Sequence, residues 1–260
     1  MKLIPLPAFD DNYIWMLQSG TQAMVVDPGD AAPVLKALAS ANLELSAILI
    51  THHHPDHTGG VDALREATGA AVFGPARENM PEPLTRLRAG DVVQQLGLSF
   101  SVLDVPGHTA GHIAYFCDAV DTDDEGSEPL LLCGDTLFSA GCGRLFEGTP
   151  AQMQHSLMQL AALPDNTRVC CTHEYTLSNL RFARMVDPNN ARLQAYEVEC
   201  LQLRQAGLPT LPSSIGLERQ INPFLRTDVD AVIASIRHFD PQGYQQDGAF
   251  ATLRRWKNKA

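Results

Sequence analysis

The chain lacks any apolar run near the ~18 residues that would cross a bilayer, so no membrane span is expected. Its start, from Met1 to Pro7, has one basic residue but no long apolar core and no small-residue cleavage site, so no secretory leader is expected. Positive charge is scarce: 19 Lys and Arg stand against 30 Asp and Glu, a formal net charge of -11, which argues against a nucleic-acid partner. No two of the six cysteines form a C-x-x-C pair, and four of them (Cys117, Cys133, Cys170, Cys171) sit in or beside apolar, strand-like runs. That usage implies reduced, buried thiols in a cytoplasmic protein, not a disulfide framework, and no cysteine stands in a base-bearing motif. No internal repeat of solenoid length is present. What remains is an ordinary globular composition, 260 residues with 45% hydrophobic and 19% charged, enough for one large domain or a domain with an appendage.

Short apolar runs mark strands at 3–6, 13–17, 22–26, 45–50, 71–73, 91–96, 98–104, 113–117, 130–133 and 169–172. Helical spacing marks 31–40, 60–67 and 150–162. Residues 75–90, with three prolines, read as irregular, and 118–128, with six acidic residues, as an exposed loop. Beyond residue 174 strand signals almost vanish, and helices are predicted at 176–186, 191–206, 228–238 and 247–258. The expected architecture is α/β: two mixed sheets with helices outside over 1–173, then a helical domain over 174–260.

The densest chemistry lies in Thr51-His52-His53-His54-Pro55-Asp56-His57-Thr58-Gly59-Gly60, directly after the run 45–50. In the spacing H-x-H-x-D-H, His52 and His54 can lie on one side of an extended loop and grip one metal ion. Asp56 and His57 are offset and can grip a second. Pro55 restrains the loop. The alternative is a surface loop rich in histidine by chance, and an internal cluster with Pro and Asp is no purification tag.

Three more candidates each follow an apolar strand: His108 after 100–105, Asp135 after 130–133 and His173 after 168–171. Alone, each has a plainer reading, as a turn histidine, a cap or turn aspartate and a satisfied core histidine. Taken with the loop, they make seven ligands (His52, His54, Asp56, His57, His108, Asp135, His173), too many for one catalytic zinc and suited to two ions sharing a carboxylate. His53 alternates to the other side of the loop, His155 and His238 fall in or at the end of helical patterns, and His112 either orients a ligand or packs structurally.

The order Thr51–Gly60, Pro106-Gly107-His108-Thr109-Ala110-Gly111-His112, Gly134-Asp135-Thr136-Leu137-Phe138 and Thr172-His173-Glu174-Tyr175 resembles the metallo-β-lactamase superfamily. The segments Phe138–Thr149, Asn222–Arg226 and Leu253–Lys257 make it similar, within that superfamily, to the glyoxalase II (hydroxyacylglutathione hydrolase) family. The resemblance implies an αββα sandwich with a C-terminal helical domain and a two-metal site. His52, His54 and His108 would hold one ion, Asp56, His57 and His173 the other, and Asp135 would bridge them. It implies two divalent cations, zinc first, with iron and manganese accepting the same ligands. Asp56 and Asp135 become the catalytic carboxylates beside a water ionised between the cations. Glutathione would be met by Arg144, Phe146, Tyr175, Arg254 and Lys257. Where some members carry Tyr in the 142–149 segment, this chain has Phe146 and so lacks a phenolic hydroxyl.

The implied reaction is hydrolysis of S-(2-hydroxyacyl)glutathione, chiefly S-D-lactoylglutathione, to glutathione and D-lactate in methylglyoxal detoxification. The implied partner is therefore a small thioester, with no nucleic acid and no membrane, and the expected assembly is a monomer. An anionic substrate must overcome the net charge of -11, and Arg254, Arg255, Lys257 and Lys259 supply local positive charge beside Trp256. The plainer reading is a solvated basic helix end. Competing functions are a mononuclear-iron glutathione persulfide dioxygenase of the same superfamily, another hydrolase such as a lactonase or β-lactamase, and a non-enzymatic binding module.

Overall fold

The computed structural model describes residues 1–122 and 126–260. The first sheet is built from β1 (Lys2–Ala8), β2 (Asn12–Ser19), β3 (Gln22–Val26), β4 (Glu44–Leu49), β5 (Ala71–Pro75) and β6 (Thr85–Leu87), in that spatial order. It is antiparallel from β1 to β3 and parallel from β3 to β6. The parallel half needs crossovers: α1 (Ala31–Ala41) connects β3 to β4, the single turn α2 (Pro55–Thr58) and α3 (Val61–Thr68) connect β4 to β5, and β5 reaches β6 without a helix. The second sheet contains β7 (Val92–Gln95), β8 (Leu98–Asp104), β9 (Ile113–Thr122) and β10 (Gly126–Gly134). It is completed by β13 (Arg168–Cys171) and β14 (Ser213–Ser214), in the order β14-β13-β10-β9-β8-β7. A small hairpin, β11 (Leu137–Phe138) with β12 (Gly141–Cys142), stands apart. The helices after it are α4 (Pro150–Ala161), α5 (Thr176–Val186), α6 (Ala191–Gln205), α7 (Ile215–Ile221), α8 (Asp230–Phe239) and α9 (Pro241–Lys259).

Strand periodicity decides which side chain goes where. On β2, Tyr13, Trp15 and Leu17 join the core between the sheets, while Ile14 and Met16 join a second core with Val34 and Leu38 of α1 and Val61 and Leu64 of α3. β3 divides the same way: Met24 and Val26 go to the first core, Ala23 and Val25 to the second. From Leu130 onward β10 is buried on both faces, and Met153, Leu157 and Leu160 of α4 extend the core beneath it. This is the αββα sandwich, with helices α5 to α9 packed at its end. The helices are capped by the expected chemistry, Asp30 accepting from Ala32 at α1 and a full capping box of Thr149 and Gln152 at α4.

Four differences from the sequence reading have physical causes. The acidic stretch 118–128 is not a loop along its length: β9 runs to Thr122 and β10 begins at Gly126, paired in register from Gly126 opposite Thr122. Asp118, Asp121 and Glu128 lie on this antiparallel ladder, which Val120 anchors in the core, and residues 123–125, with the other three acids, lie outside the described residues. The proline-rich 75–90 contains β6, paired parallel to β5. Beyond residue 174 one strand does occur, the two-residue β14, recruited by the β13 edge, and α7 follows it. The last helix begins at Pro241, six residues earlier than predicted, and is broken at Gly248, where φ is 82°.

The helical end is joined to the hairpin β11–β12 by buried polar contacts. Asn222 Nδ2 donates to the carbonyls of Phe138 (3.1 Å) and Gly141 (2.9 Å), and Glu218 accepts from Ala140 N at 2.8 Å. Replacing fully buried Asn222 by Ala strands those carbonyls. Asn222→Ala should lower the unfolding free energy by about 3 kcal/mol, read as a shifted midpoint in urea.

Candidate metal centre

All seven predicted ligands meet at one edge of the sandwich. β4 delivers the 51–57 loop, β8 leads to His108, β10 ends one residue before Asp135 and β13 ends two residues before His173. His54 Nδ1 lies 3.1 Å from His52 Nε2 and 3.0 Å from His108 Nε2. Asp56, His57 and His173 form a second convergent group. Asp135 stands between the two: its Oδ2 is 3.4 Å from His108 Nε2, while its Oδ1 is 3.5 Å from His57 Nε2 and 3.4 Å from His173 Nε2.

The outer nitrogens show how the rings are held. Thr51 Oγ1 donates to Asp27, so it is left to accept from His52 Nδ1 at 3.1 Å. His108 Nδ1 donates to the Arg144 carbonyl at 2.8 Å and His173 Nδ1 to Asp11 at 2.7 Å. Each ring therefore turns its Nε2 into the cleft, as a metal ligand requires. Asn12 Nδ2 donates to Asp56 at 3.2 Å. His112 does both things expected of it: it stacks on His52 (ring centroids 4.6 Å, 18° between planes), and its Nε2 accepts from Asp135 N at 3.2 Å. Asp11, Asn12, Asp27 and Thr51 were not singled out from sequence. They lie at a hairpin tip and strand ends, and their only sequence signal is a polar residue ending an apolar run.

Charge explains the electrostatics. Burial alone would push His57 down, but Asp135 and Asp27 hold it well above an ordinary imidazole. His173 is likewise opposed by burial yet raised to about 10 by Asp135, Asp56 and Asp11. Burial would raise Asp56 and Asp135; the facing imidazoles hold both well below the usual carboxylate range. His52, His54 and His108 are lowered, chiefly by burial. Buried His57 Nε2 and Asp135 Oδ1 have no hydrogen-bond partner among the described residues. Converging lone pairs and an unpartnered carboxylate oxygen are donors suited to divalent cations.

The centre floors a cleft of about 550 Å³ whose walls include Phe138, Arg144, Phe146 and Tyr175. Tyr175 stacks on His173 (4.6 Å, 5°), and exposed Phe146 sets its edge against His54 and His108 (5.4 and 5.3 Å). Gly143 admits this wall, because a Cβ there would run into the Asp135 carbonyl oxygen. Arg254 and Lys257 do not line the cleft. Arg254 is buried and donates to the Cys142 carbonyl at 3.0 Å, just behind Arg144. Lys257 donates to Ser178 O at 3.3 Å, and burial and Arg254 lower its ammonium to about 8. The basic cluster read from sequence is divided: Arg255 pairs with Asp247 (2.7 Å) and Asp240 (3.7 Å).

Two stacked sheets with histidine and aspartate clusters at their tips define the metallo-β-lactamase class of metalloprotein. Sequence comparison agrees: the model of that superfamily matches residues 8–173, and the model "hydroxyacylglutathione hydrolase C-terminus" matches 174–260. The chain belongs to the metallo-β-lactamase superfamily and, within it, to the hydroxyacylglutathione hydrolase family. It is 64% identical over 259 residues to the hydroxyacylglutathione hydrolase of Albidiferax ferrireducens, covering 100% of both chains. It is 55% identical to that of Pseudomonas aeruginosa, covering 100% of this chain and 99% of the relative. Among solved structures it is similar to ETHE1 from Myxococcus xanthus, at 26% identity and a TM-score of 0.64, over 99% of this chain and 100% of that one. Among the described residues no helix is long and apolar enough to cross a membrane.

With the carboxylates already ionised and only His57 and His173 raised, metal uptake at neutral pH must displace imidazole protons. Loading the metal-free protein at pH 7 should release about two imidazole protons, beyond any from an ionised water, and affinity should fall as pH falls. Titration calorimetry in buffers of different ionisation enthalpy measures the release, and none would contradict the charge pairing.

Proposed function

We propose that this chain hydrolyses S-(2-hydroxyacyl)glutathione thioesters, chiefly S-D-lactoylglutathione, to glutathione and a 2-hydroxy acid, as in methylglyoxal detoxification in the cytoplasm. The observation that carries this reading is Asp135, whose two oxygens face two different ligand clusters beneath a cleft walled by Arg144, Phe146 and Tyr175. The full-length likeness to hydroxyacylglutathione hydrolases supports the substrate. His52, His54 and His108 are assigned to one ion and Asp56, His57 and His173 to the other, with Asp135 shared. Zinc leads among the metals, and iron and manganese suit the same donors.

When bound, the ions supply Lewis acidity and a hydrolytic water ionised near neutral pH. The residues do the rest. Asp135 is fixed by facing imidazoles and by its own backbone bond to His112, so it holds the clusters at one spacing. Asp56, about two-fifths exposed and kept ionised, is the ligand carboxylate that water can reach. The leaving group is a thiolate, which departs without strong acid help. Burial, with the nearby carboxylates, keeps the Tyr175 phenol protonated and a donor toward the substrate. Exposed Arg144 offers a charge-assisted bond to a glutathione carboxylate, and Phe146 a face without a hydroxyl. Residues 174–260 act as the glutathione-side domain, with Arg254 supporting the wall from behind and Lys257 adding positive charge. A monomer suffices, since one chain supplies every group named.

The test is thiol release from S-D-lactoylglutathione, followed with a thiol-reactive dye, alongside elemental analysis for two ions per chain. Oxygen uptake with glutathione persulfide and no thioester turnover would replace this reading with the dioxygenase one. Arg144→Ala should raise KM about tenfold and leave kcat within about threefold, because Arg144 acts on the non-reacting part of the substrate. An unchanged KM would remove this residue from the substrate site.

A further inference from the structure

The middle histidine of the loop has a partner of its own. His53 turns away from the cleft, with Nδ1 2.9 Å from Glu78 Oε2, and its backbone N donates to the same oxygen at 2.6 Å. The other oxygen of Glu78 accepts from the Thr109 hydroxyl and from Gly111 N at 3.0 Å. One buried carboxylate thus takes two donors from the loop of His52 and His54 and two from the loop of His108. Gly111 makes the approach possible, since a Cβ there would lie 2.6 Å from Glu78 Cγ. Glu78 is itself held from behind: Arg86 Nη1 donates to its carbonyl at 3.1 Å, and neighbouring Arg77 pairs with Asp104 at the end of β8. The belt continues to the cleft wall, where Glu147 lies 3.4 Å from His53 Nε2 and accepts from Ala110 N at 2.8 Å.

His53, Glu78 and Glu147 sit close enough to suggest a third cation site. Four donors already fill the Glu78 oxygens, which makes the group a junction of hydrogen bonds instead. What the junction joins is the first ligand cluster. His52 and His54 come from one loop and His108 from another, and their nitrogens converge to about 3 Å only while the two loops keep their spacing. Asp56, His57 and His173 receive no bond from Glu78.

We propose that Glu78 is a positioning residue for one ion of the pair. By clamping the His52–His54 loop to the His108 loop it sets the affinity of that cluster and leaves the Asp56–His57–His173 cluster untouched. The proposal rests on the two-ion reading above, though not on the substrate. A neutral amide of the same size puts an N–H where only acceptors fit, so Glu78→Gln is the sharp variant.

The experiment loads the full chain with zinc, dialyses it against graded chelator and counts retained ions by elemental analysis. In Glu78→Gln one ion should leave at an about 10–100-fold lower chelator concentration, the other as in wild type. Added to His173→Ala the change should weaken the first-cluster ion by the same factor, and added to His108→Ala it should cost nothing further. Thr109→Val, which removes one of the four donors, should weaken the same ion less and guards against a Glu78 variant that does not fold. Wild-type retention of both ions in both variants, or equal weakening of both, would overturn the proposal. A wild-type chain that takes up fewer than two ions would overturn the two-ion reading itself, and the proposal with it.

Discussion

A carboxylate almost removed from water, Asp135, governs this molecule. Burying an ionised group is costly unless cations face it, and the raised imidazoles of His57 and His173 both face its Oδ1. That arrangement survives only if four strand tips from two sheets stay in register. Cross-sheet bonds secure them: Trp15 Nε1 to Cys171 O (2.9 Å), Tyr13 N to Thr172 O (2.6 Å), Ile113 N to Thr51 O (3.0 Å) and Tyr115 hydroxyl to Ile50 O (2.8 Å). Each lies within a few residues of a candidate ligand. The packed core supplies the bulk of the stabilisation, and these four bonds supply the alignment.

The two parts of the chain divide the work. The sandwich brings the ligands together; the helices behind it shape the wall opposite. Asn222 and Glu218 grip the hairpin that follows Asp135, and Arg254 grips the carbonyl of Cys142 at its far end. The wall is thus a strip of backbone held at both ends from behind, and its exposed face is left to Arg144 and Phe146. Arg254 had the look of a surface cation in the sequence, and its guanidinium lies instead over the Phe224 ring at 5.0 Å.

Much of this was legible beforehand because it is local. A histidine loop after a β-branched run, and a Gly-Asp or Thr-His pair ending an apolar strand, are written in adjacent residues. The alternation that sends Trp15 one way and Met16 the other is likewise a property of consecutive positions. What escaped depends on contacts between distant segments. Asp11 gives no sign that it will meet His173, 162 residues away. Glu78 lies in a proline-rich stretch with no periodicity, and its four donors come from two other loops. The acidic hairpin was misread for a related reason, since strand pairing can carry a polar segment that its own composition would leave as loop.

The cysteines add a consequence for durability. All six are buried: Cys142, just under the cleft wall, is 6% exposed and Cys133, Cys171 and Cys200 are at 0%. A catalyst that liberates glutathione works beside that tripeptide and, under oxidation, beside its disulfide dimer, and thiol–disulfide exchange needs a sulfur that the dimer can approach in line. Here none is offered. Turnover should therefore persist through swings in cellular redox poise that would glutathionylate an exposed thiol.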